Sequence, residues 1–268
     1  MPNNFTGHIE KWLLLSEAET DFAVLFVRSW IPFNAWYCNS YNNTGDRYCI
    51  DQIKVDGNQF RARLIALLNG NNSDSIRFKG QLGLLYELLE QFPIPDASPE
   101  NRISFRNIFF RTNPAKSTNP PVRKRSLEYK AELLSNKSVR AVVIKTRRTP
   151  NETKYNYTYS KYAFSNFESD LNLSTSLSQE QKEQIKQCFK DINPRKKESV
   201  ISDIRRGSLE IAGINFINDV DLISQAVIEI LYGIRCKLFH GELQPSKDNL
   251  SIYEPAYHIL RTLLKSLQ

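Results

Sequence analysis

Glycine is scarce in this chain, and its scarcity argues against several kinds of binding site. Only ten of the 268 residues are glycine. Neither glycine-rich pattern that cradles phosphates, G-x-x-x-x-G-K-[ST] or G-x-G-x-x-G, occurs in the sequence. The G-x-S-x-G pattern of serine hydrolases is missing as well. The composition therefore disfavours glycine-rich nucleotide folds and favours helices.

Cysteine and histidine, the usual ligands of zinc, are also few. The chain has four cysteines, without a C-x-x-C pair, and three histidines. We expect the cysteines to be free thiols, and no cluster of histidine and cysteine suggests a zinc site. No pair of acidic residues on the core helices has the spacing of a two-metal site. We therefore expect neither a metal ion nor any other cofactor.

Long apolar runs are missing from the sequence too. No uncharged apolar run reaches the roughly 18 residues that cross a bilayer, and the first residues lack the basic and apolar regions of a signal peptide. We expect a cytoplasmic protein with no membrane partner.

Helical periodicity is what the chain has in abundance. Apolar residues recur at intervals of three and four in most segments outside the middle of the chain, as in helices with one buried face. The predicted helices are 5–17, 19–41 with Pro32 as a kink or break, 46–68, 75–92, 178–192, 196–206, 219–239 and 252–267, with a loop at 243–250. We expect one mainly α domain, residues 1–268, built as a single helical bundle.

The middle of the chain, about residues 93–170, reads as a basic α+β insertion into this bundle. Residues 102–161 contain fifteen lysines and arginines against three glutamates. We predict a strand at 103–111, a short helix at 124–136, and a β-hairpin from strands 139–145 and 155–159. Cations including Arg147 and Arg148, with Tyr155, Tyr157 and Tyr159, suit contact with single-stranded RNA. An ordinary solvated charged face is the alternative interpretation.

One short stretch near the C-terminal end concentrates polar groups after an apolar helix. The run 220–239 carries few charges, and Arg235, Lys237 and His240 then fall within six residues, followed by Gly241. Five residues of ideal helix turn through 500°, so Arg235 and His240 would point about 140° apart. They converge only if the helix ends near Phe239, where Gly241 is a plausible terminator.

This stretch resembles the HEPN superfamily (higher eukaryotes and prokaryotes nucleotide-binding). The resemblance rests on the R-x-x-x-x-H pattern at the end of a penultimate helix and on the early helical segment Trp-Ile-Pro-Phe-Asn-Ala-Trp-Tyr, residues 30–37. It implies a helical bundle that dimerises and, in active members, cleaves RNA without metal, with Arg235 and His240 as the catalytic pair. It also implies a role in defence or as a toxin, with an antitoxin or another operon-encoded partner. The residue after the arginine is polar in many members and is Cys236 here.

The same residues suit RNA cleavage on chemical grounds. The 2′-hydroxyl must lose a proton, the leaving 5′-oxygen must gain one, and the phosphorane charge must be neutralised. Histidine suits the proton transfers, since the ordinary pKa of its side chain is about 6.5. Arginine suits the phosphorane because its planar donors can bridge two oxygens. One histidine for each site is too few, so we predict a homodimer with a composite site.

Two further residues and three alternatives complete the sequence-based hypothesis. Lys237 is predicted to bind phosphate, and Asn34 to orient the site from the facing helix or to satisfy a backbone group beside Pro32. The pair Arg235 and His240 has a structural alternative, in which the arginine forms a salt bridge and the histidine caps a helix. A HEPN module that binds RNA or a partner protein without cleavage is the second candidate function, and a scaffold in an operon-encoded complex is the third.

Overall fold

The structure is a computed structural model and describes residues 21–42, 45–95, 102–109, 113–146 and 152–267. The chain divides into two compact units. We call Met1–Phe110 with Lys197–Gln268 the helical unit, and Arg111–Lys196 the sheet unit. The helix predicted at 5–17 lies outside the described residues.

Along the sequence, the described elements belong first to the helical unit, then to the sheet unit, and then to the helical unit again. The helical unit contains the first four helices, the last three and a two-stranded hairpin, and the sheet unit contains the rest. In chain order they are α1 (Phe22–Tyr41), α2 (Asp46–Val55), α3 (Gln59–Asn69), α4 (Ser73–Gln91), β1 (Val122–Lys124), β2 (Leu127–Leu133), β3 (Val139–Lys145), β4 (Glu152–Tyr159), α5 (Phe164–Leu173), α6 (Gln179–Asp191), β5 (Leu209–Ile211), β6 (Ile214–Phe216), α7 (Val220–Phe239), α8 (Lys247–Ser251) and α9 (Tyr253–Leu264).

Helix α1 is an amphipathic helix with an aromatic inner stripe. The Asp21 side chain caps it by accepting a hydrogen bond of 2.8 Å from the Ala23 backbone. Its buried residues at intervals of three and four include Phe26, Trp30, Phe33 and Tyr37. Pro32 is exposed on the opposite side, and the helix continues through it to Tyr41. The predicted helix is therefore confirmed, and Pro32 does not end it.

Helix α7, which carries the candidate motif at its C-terminal end, is buried over its central part. Nine of its residues are buried, from Ile223 to Ile234, as its apolar sequence predicts. It packs against α2 and α3, while α9 packs against α1 and α4. Because α7 is enclosed over most of its length, its C-terminal end has a fixed position within the helical unit.

Four predictions about the helical unit are wrong. The segment 243–250, predicted as a loop, contains most of α8 (Lys247–Ser251), which the Ser246 side chain caps by accepting a hydrogen bond of 3.2 Å from the Asn249 backbone. The segment predicted as one helix, 46–68, is two helices, because Asn58 caps α3 by accepting from the Arg61 backbone at 2.9 Å. Residues 196–206 form no helix, since the Ser199 and Ser202 hydroxyls bond to backbone groups two residues ahead and favour turns. The strand predicted at 103–111 is reduced, in its described part, to a bridge at Ile108.

The sheet unit is a four-stranded antiparallel sheet packed on two helices. The strands lie in the order β1-β2-β3-β4. Alternate residues of β2, β3 and β4 point to α5 and α6 and form a core separate from that of the helical unit. At its centre the rings of Phe167 and Phe189 stack with centroids 4.0 Å apart. The Ser178 capping box starts α6, as the sequence predicts.

Two expectations about this segment need correction. Residues 124–136 are not a helix, because Leu127, Tyr129 and Ala131 alternate in a period of two and pair with β3. The hairpin prediction holds for β3 and β4, but Tyr155 and Tyr157 are only 8% and 7% exposed, on the core side. They are therefore not available as stacking surfaces for RNA bases, although Tyr159 is partly exposed.

The described part of the chain is mainly helical, with one small sheet and one short hairpin. In that part no helix combines the length and the apolar character needed to cross a membrane. The sheet unit begins later and ends later, at 111 and 196, than the predicted insertion at about 93–170.

Candidate functional site

The R-x-x-x-x-H motif lies where α7 ends. The last helical residue is Phe239, and the His240 backbone N–H bonds to the Cys236 carbonyl at 3.0 Å. Gly241 follows with a φ of 63°, in the left-handed region where glycine is favoured. The termination that the motif needs is therefore present, and the chain leaves the helix axis directly after His240.

Arg235 is enclosed by a carboxylate and two aromatic rings. Its Nη2 lies 3.0 Å from Asp46 Oδ2, and its side chain is only 16% exposed. The guanidinium carbon lies 4.3 Å from the centre of the Phe239 ring and 5.8 Å from that of Trp30. Contacts of this kind hold a guanidinium flat and reduce its freedom. Arg235 Nε is buried without a hydrogen-bond partner among the described residues.

Asp46 connects Arg235 to helix α1. This residue is the first of α2, and its Oδ1 accepts hydrogen bonds from Asn34 Nδ2 at 3.0 Å and from Tyr37 Oη at 2.8 Å. Asn34 Nδ2 also lies 2.5 Å from Tyr37 Oη. We call Asn34, Tyr37, Asp46 and Arg235 the arginine cluster. Three helices, α1, α2 and α7, each contribute to it.

The arginine cluster perturbs the ionisation of Tyr37. Burial of the phenol raises its pKa, the Asn34 hydrogen bond lowers it, and the bond and charge of Asp46 raise it further, to about 12. Tyr37 therefore stays protonated at neutral pH and donates its proton to Asp46. This donation leaves Oδ2 as the oxygen that faces Arg235.

His240 is on the surface, in contrast to Arg235. Its side chain is exposed and has no hydrogen bond or ion pair among the described residues. The neighbouring Phe239 is 47% exposed although it covers one side of the Arg235 guanidinium. The imidazole is thus open to a ligand, and an apolar ring lies beside it on the same surface.

Lys237 is occupied by a neighbour on its own chain. Its Nζ lies 2.7 Å from Glu242 Oε2, and its side chain is largely covered. As the structure has it, Lys237 is paired rather than free for phosphate. Cys236, the residue after the arginine, is a partly exposed free thiol. Arg147 and Arg148 lie outside the described residues.

A second charged network fixes α2 against α7 next to the arginine cluster. Arg47 Nη1 and Nη2 each lie 2.7 Å from a carboxylate oxygen of Glu229. Lys54, only 2% exposed, reaches Glu229 at 2.9 Å and Asp51 at 2.8 Å. Two cations therefore share two carboxylates across the helix pair. This arrangement positions the start of α2, and hence Asp46, opposite Arg235.

Two members of the arginine cluster, Asp46 and Tyr37, are absent from the sequence-based site. Asn34 and Tyr37 are three residues apart and share a helix face, which was a usable signal. Asp46 had no comparable signal, because its pairing with Arg235 spans 189 positions of sequence. The structure brings Asn34 and Arg235 together through Asp46. It therefore assigns Asn34 a positioning contact at this carboxylate, away from any backbone group at Pro32.

Comparison of the chain with protein-family models, with curated proteins and with solved structures gives no match. Within the described residues, no three histidine, cysteine, aspartate or glutamate side chains are grouped so that they could hold a metal ion.

Proposed function

We propose that this protein is a metal-independent endoribonuclease of HEPN type, with Arg235 and His240 in the catalytic roles. The observation that carries the proposal is that a pre-positioned arginine and an open histidine both lie at the C-terminal end of α7. Arg235 is fixed by Asp46 and by two rings, and His240 is exposed five residues later. The role in defence or as a toxin, with an antitoxin as partner, remains part of the proposal.

In this mechanism His240 takes the proton of a ribose 2′-hydroxyl, and the resulting oxygen attacks the adjacent phosphorus. The bond to the 5′-oxygen then breaks, and that oxygen receives a proton from a second histidine. The products are a 2′,3′-cyclic phosphate and a 5′-hydroxyl end. Arg235 donates to the non-bridging oxygens as negative charge develops on the phosphorane.

The second histidine comes from a second copy of the chain. In the helical unit His258 lies on α9 and packs against Phe22, on the N-terminal end of α1, so it does not belong to the arginine cluster. A twofold dimer would bring two Arg235–His240 pairs to one cleft. The exposed Phe239 ring beside His240 supports this arrangement, because it gives the second copy apolar surface to cover.

Cleavage of mixed RNA in EDTA tests the proposal. We expect the wild type to leave cyclic phosphate ends, and His240→Ala and Arg235→Ala each to lose at least about a hundredfold in rate. Arg28→Ala, which removes an exposed arginine of α1, is the matched control and should cleave at the wild-type rate. Cleavage by all four proteins at one rate would reject the assignment of these residues.

The composite site has its own test. Light scattering of an active preparation should give the mass of a dimer. Mixing the wild type with an excess of His240→Ala should lower the wild-type rate, because each mixed dimer holds only one His240 and therefore lacks either the base or the acid. An active preparation that is only monomeric would reject the composite site and leave the catalytic residues to be judged by the first experiment.

A binding module without catalysis is the second candidate, and the charge of the sheet unit favours it. That unit has eighteen lysines and arginines against eight acidic residues, a net of +10, which leaves the helical unit with −3. Such a segment binds polyanions through salt-dependent contacts. Under this hypothesis, Arg147→Glu with Arg148→Glu lowers RNA affinity and its salt dependence, while His240→Ala leaves both unchanged.

A further inference from the structure

We propose that the helical unit contains a second site, a cationic cavity that binds a dianionic phosphate group. The cavity lies between α3, α4 and α9 and has a volume of about 150 Å³. The inference does not depend on the proposed ribonuclease activity. It rests on the charges that line the cavity, on one buried amide and on the size of the space.

The lining of the cavity is positively charged. Arg63, Arg77 and Lys265 contribute three cations, and Asp74 contributes one carboxylate, so the excess is two positive charges. Asp74 Oδ2 lies 3.4 Å from Arg63 Nη2, a long ion pair in which each charge offsets the other. Among the described residues, Arg77 and Lys265 have no hydrogen bond or ion pair. The excess positive charge therefore belongs to the exposed side chains of Arg77 and Lys265, which are free to turn toward a ligand.

Neutral polar groups line the same space. Gln81 Oε1 is buried and lacks a hydrogen-bond partner among the described residues. Buried polar atoms without a partner are uncommon in folded proteins and call for a ligand or another explanation. Turned about its last bond, the same carboxamide presents its NH₂ group to a phosphate oxygen. His258 also lines the cavity and can donate one ring N–H.

The volume limits the size of the bound group. Pockets for drug-sized ligands measure roughly 300–1,000 Å³, which is larger than this space. A cavity needs at least about 10–15 Å³ to hold one water molecule, so this cavity has room for the five heavy atoms of a phosphate group. A phosphate group has five heavy atoms and carries two negative charges, which match the excess on the lining. The cavity therefore fits inorganic phosphate, or the terminal phosphate of a larger molecule whose remainder stays outside.

This cavity is separate from the arginine cluster. His258 packs against Phe22 at the start of α1, with ring centroids 5.8 Å apart. Asn34 of the arginine cluster lies twelve residues further along the same helix, a distance of about 18 Å along the axis. Variants at the cavity therefore leave Arg235 and its partners in place.

Calorimetric titration of the full chain with inorganic phosphate, and separately with adenosine 5′-monophosphate, tests the proposal at constant ionic strength. We expect saturable binding of one phosphate group for each chain. Arg77→Ala and Lys265→Ala should each weaken it about tenfold or more, since each removes a charge-assisted contact. Arg28→Ala is the matched control, because it removes an exposed helix-surface arginine outside the cavity.

The outcomes separate the possible sources of the phosphate. Equal affinity for both probes would identify the free ion as a sufficient ligand, and tighter binding of the nucleotide would identify a phosphate carried on a larger molecule. Absence of saturable binding by either probe overturns the proposal. Binding that Arg77→Ala and Lys265→Ala leave unchanged overturns it as well, because the phosphate then binds elsewhere. Tryptophan fluorescence of each variant verifies that the fold is intact.

Discussion

Replacing Asp46 by asparagine should destabilise the helical unit, because this carboxylate is the common acceptor of the arginine cluster. One carboxylate oxygen accepts hydrogen bonds from Asn34 and Tyr37, and the other forms the ion pair with Arg235. The Asp46 side chain is 24% exposed. Asparagine keeps the shape, removes the charge and exchanges one acceptor oxygen for an NH₂ group. Hydrogen bonds that involve a charged group contribute roughly 1.5–3 kcal/mol each. Since the site is partly open to solvent, we expect a loss of about 2–4 kcal/mol in the free energy of unfolding.

Urea denaturation followed by tryptophan fluorescence measures this loss in the relevant unit. All three tryptophans of the chain belong to the helical unit, so the signal does not come from the sheet unit. A double-mutant cycle with Asp46→Asn, Arg235→Gln and the double variant measures the interaction free energy between the two side chains. We expect a coupling free energy of about 1–3 kcal/mol. Asp248→Asn, at an exposed position of α8, is the control and should have little effect. A coupling within about 0.5 kcal/mol of zero would refute the assigned role of the ion pair.

Three further predictions concern pH and packing. The pKa of Tyr37 is raised from 10.0 to about 12, so its contribution to stability is complete below pH 10 and is lost between pH 10 and 12. Unfolding midpoints at pH 9 and pH 11 should differ less in Tyr37→Phe than in the wild type. Burial raises the pKa of Asp51, but hydrogen bonds from Arg47 and Lys54 outweigh it and lower the pKa below 3.8. That contribution is present above about pH 4 and is lost as the pH falls further, so Asp51→Asn should flatten the acid limb of the stability curve. Phe189→Ala should cost the sheet unit about 3–5 kcal/mol, because it removes the ring stacked on Phe167, and hydrogen exchange of β2 and β3 should report the loss.

Regular patterns in the sequence predicted several helices in both units. The apolar periodicity of α1 and α7 and the capping signals of α6 gave elements that the structure contains, within a few residues at each end. Such elements are specified by neighbours three and four residues apart, which a single sequence displays. The division of 46–68 into two helices depended instead on Asn58, whose side chain caps α3 in place of continuing the helix before it. Whether such a residue caps a new helix or lies within a longer one is hard to judge from the sequence.

The sheet unit shows where local patterns mislead. The segment 124–136 contains good helix formers, but Leu127, Tyr129 and Ala131 lie on one face of β2, where the pairing with β3 determines their environment. For the same reason, two of the three β4 tyrosines predicted to stack on RNA bases, Tyr155 and Tyr157, are turned into the core. Which face of a strand is buried depends on partners elsewhere in the chain, so it was not visible in the hairpin itself.

The candidate site shows the same difference between local contacts, which the sequence predicts, and long-range contacts, which it does not. The end of α7 at Phe239, with Gly241 shortly after it, followed from residues within one turn, and the structure contains it. The pairing of Lys237 with Glu242 was also within reach of the sequence, since five positions separate them. The Asp46–Arg235 pair joins distant helices and was not predicted. This pair determines the position of the Arg235 guanidinium. The contact that matters most for the site is therefore one that no local sequence pattern predicts.

The Asp46 carboxylate stabilises the fold but should weaken the attraction between Arg235 and an RNA phosphate. This difference leads to a final prediction. The carboxylate positions the Arg235 guanidinium, but it also offsets part of the charge that a phosphate would meet. Removing the charge should therefore strengthen RNA binding while it loosens the geometry on which transition-state stabilisation depends. For Asp46→Asn we expect a lower KM together with a kcat reduced about tenfold to a hundredfold, whereas Arg235→Ala should lose both binding and rate. If KM and kcat of Asp46→Asn both stay at the wild-type values, Arg235 does not meet the scissile phosphate, and the ion pair serves the fold alone.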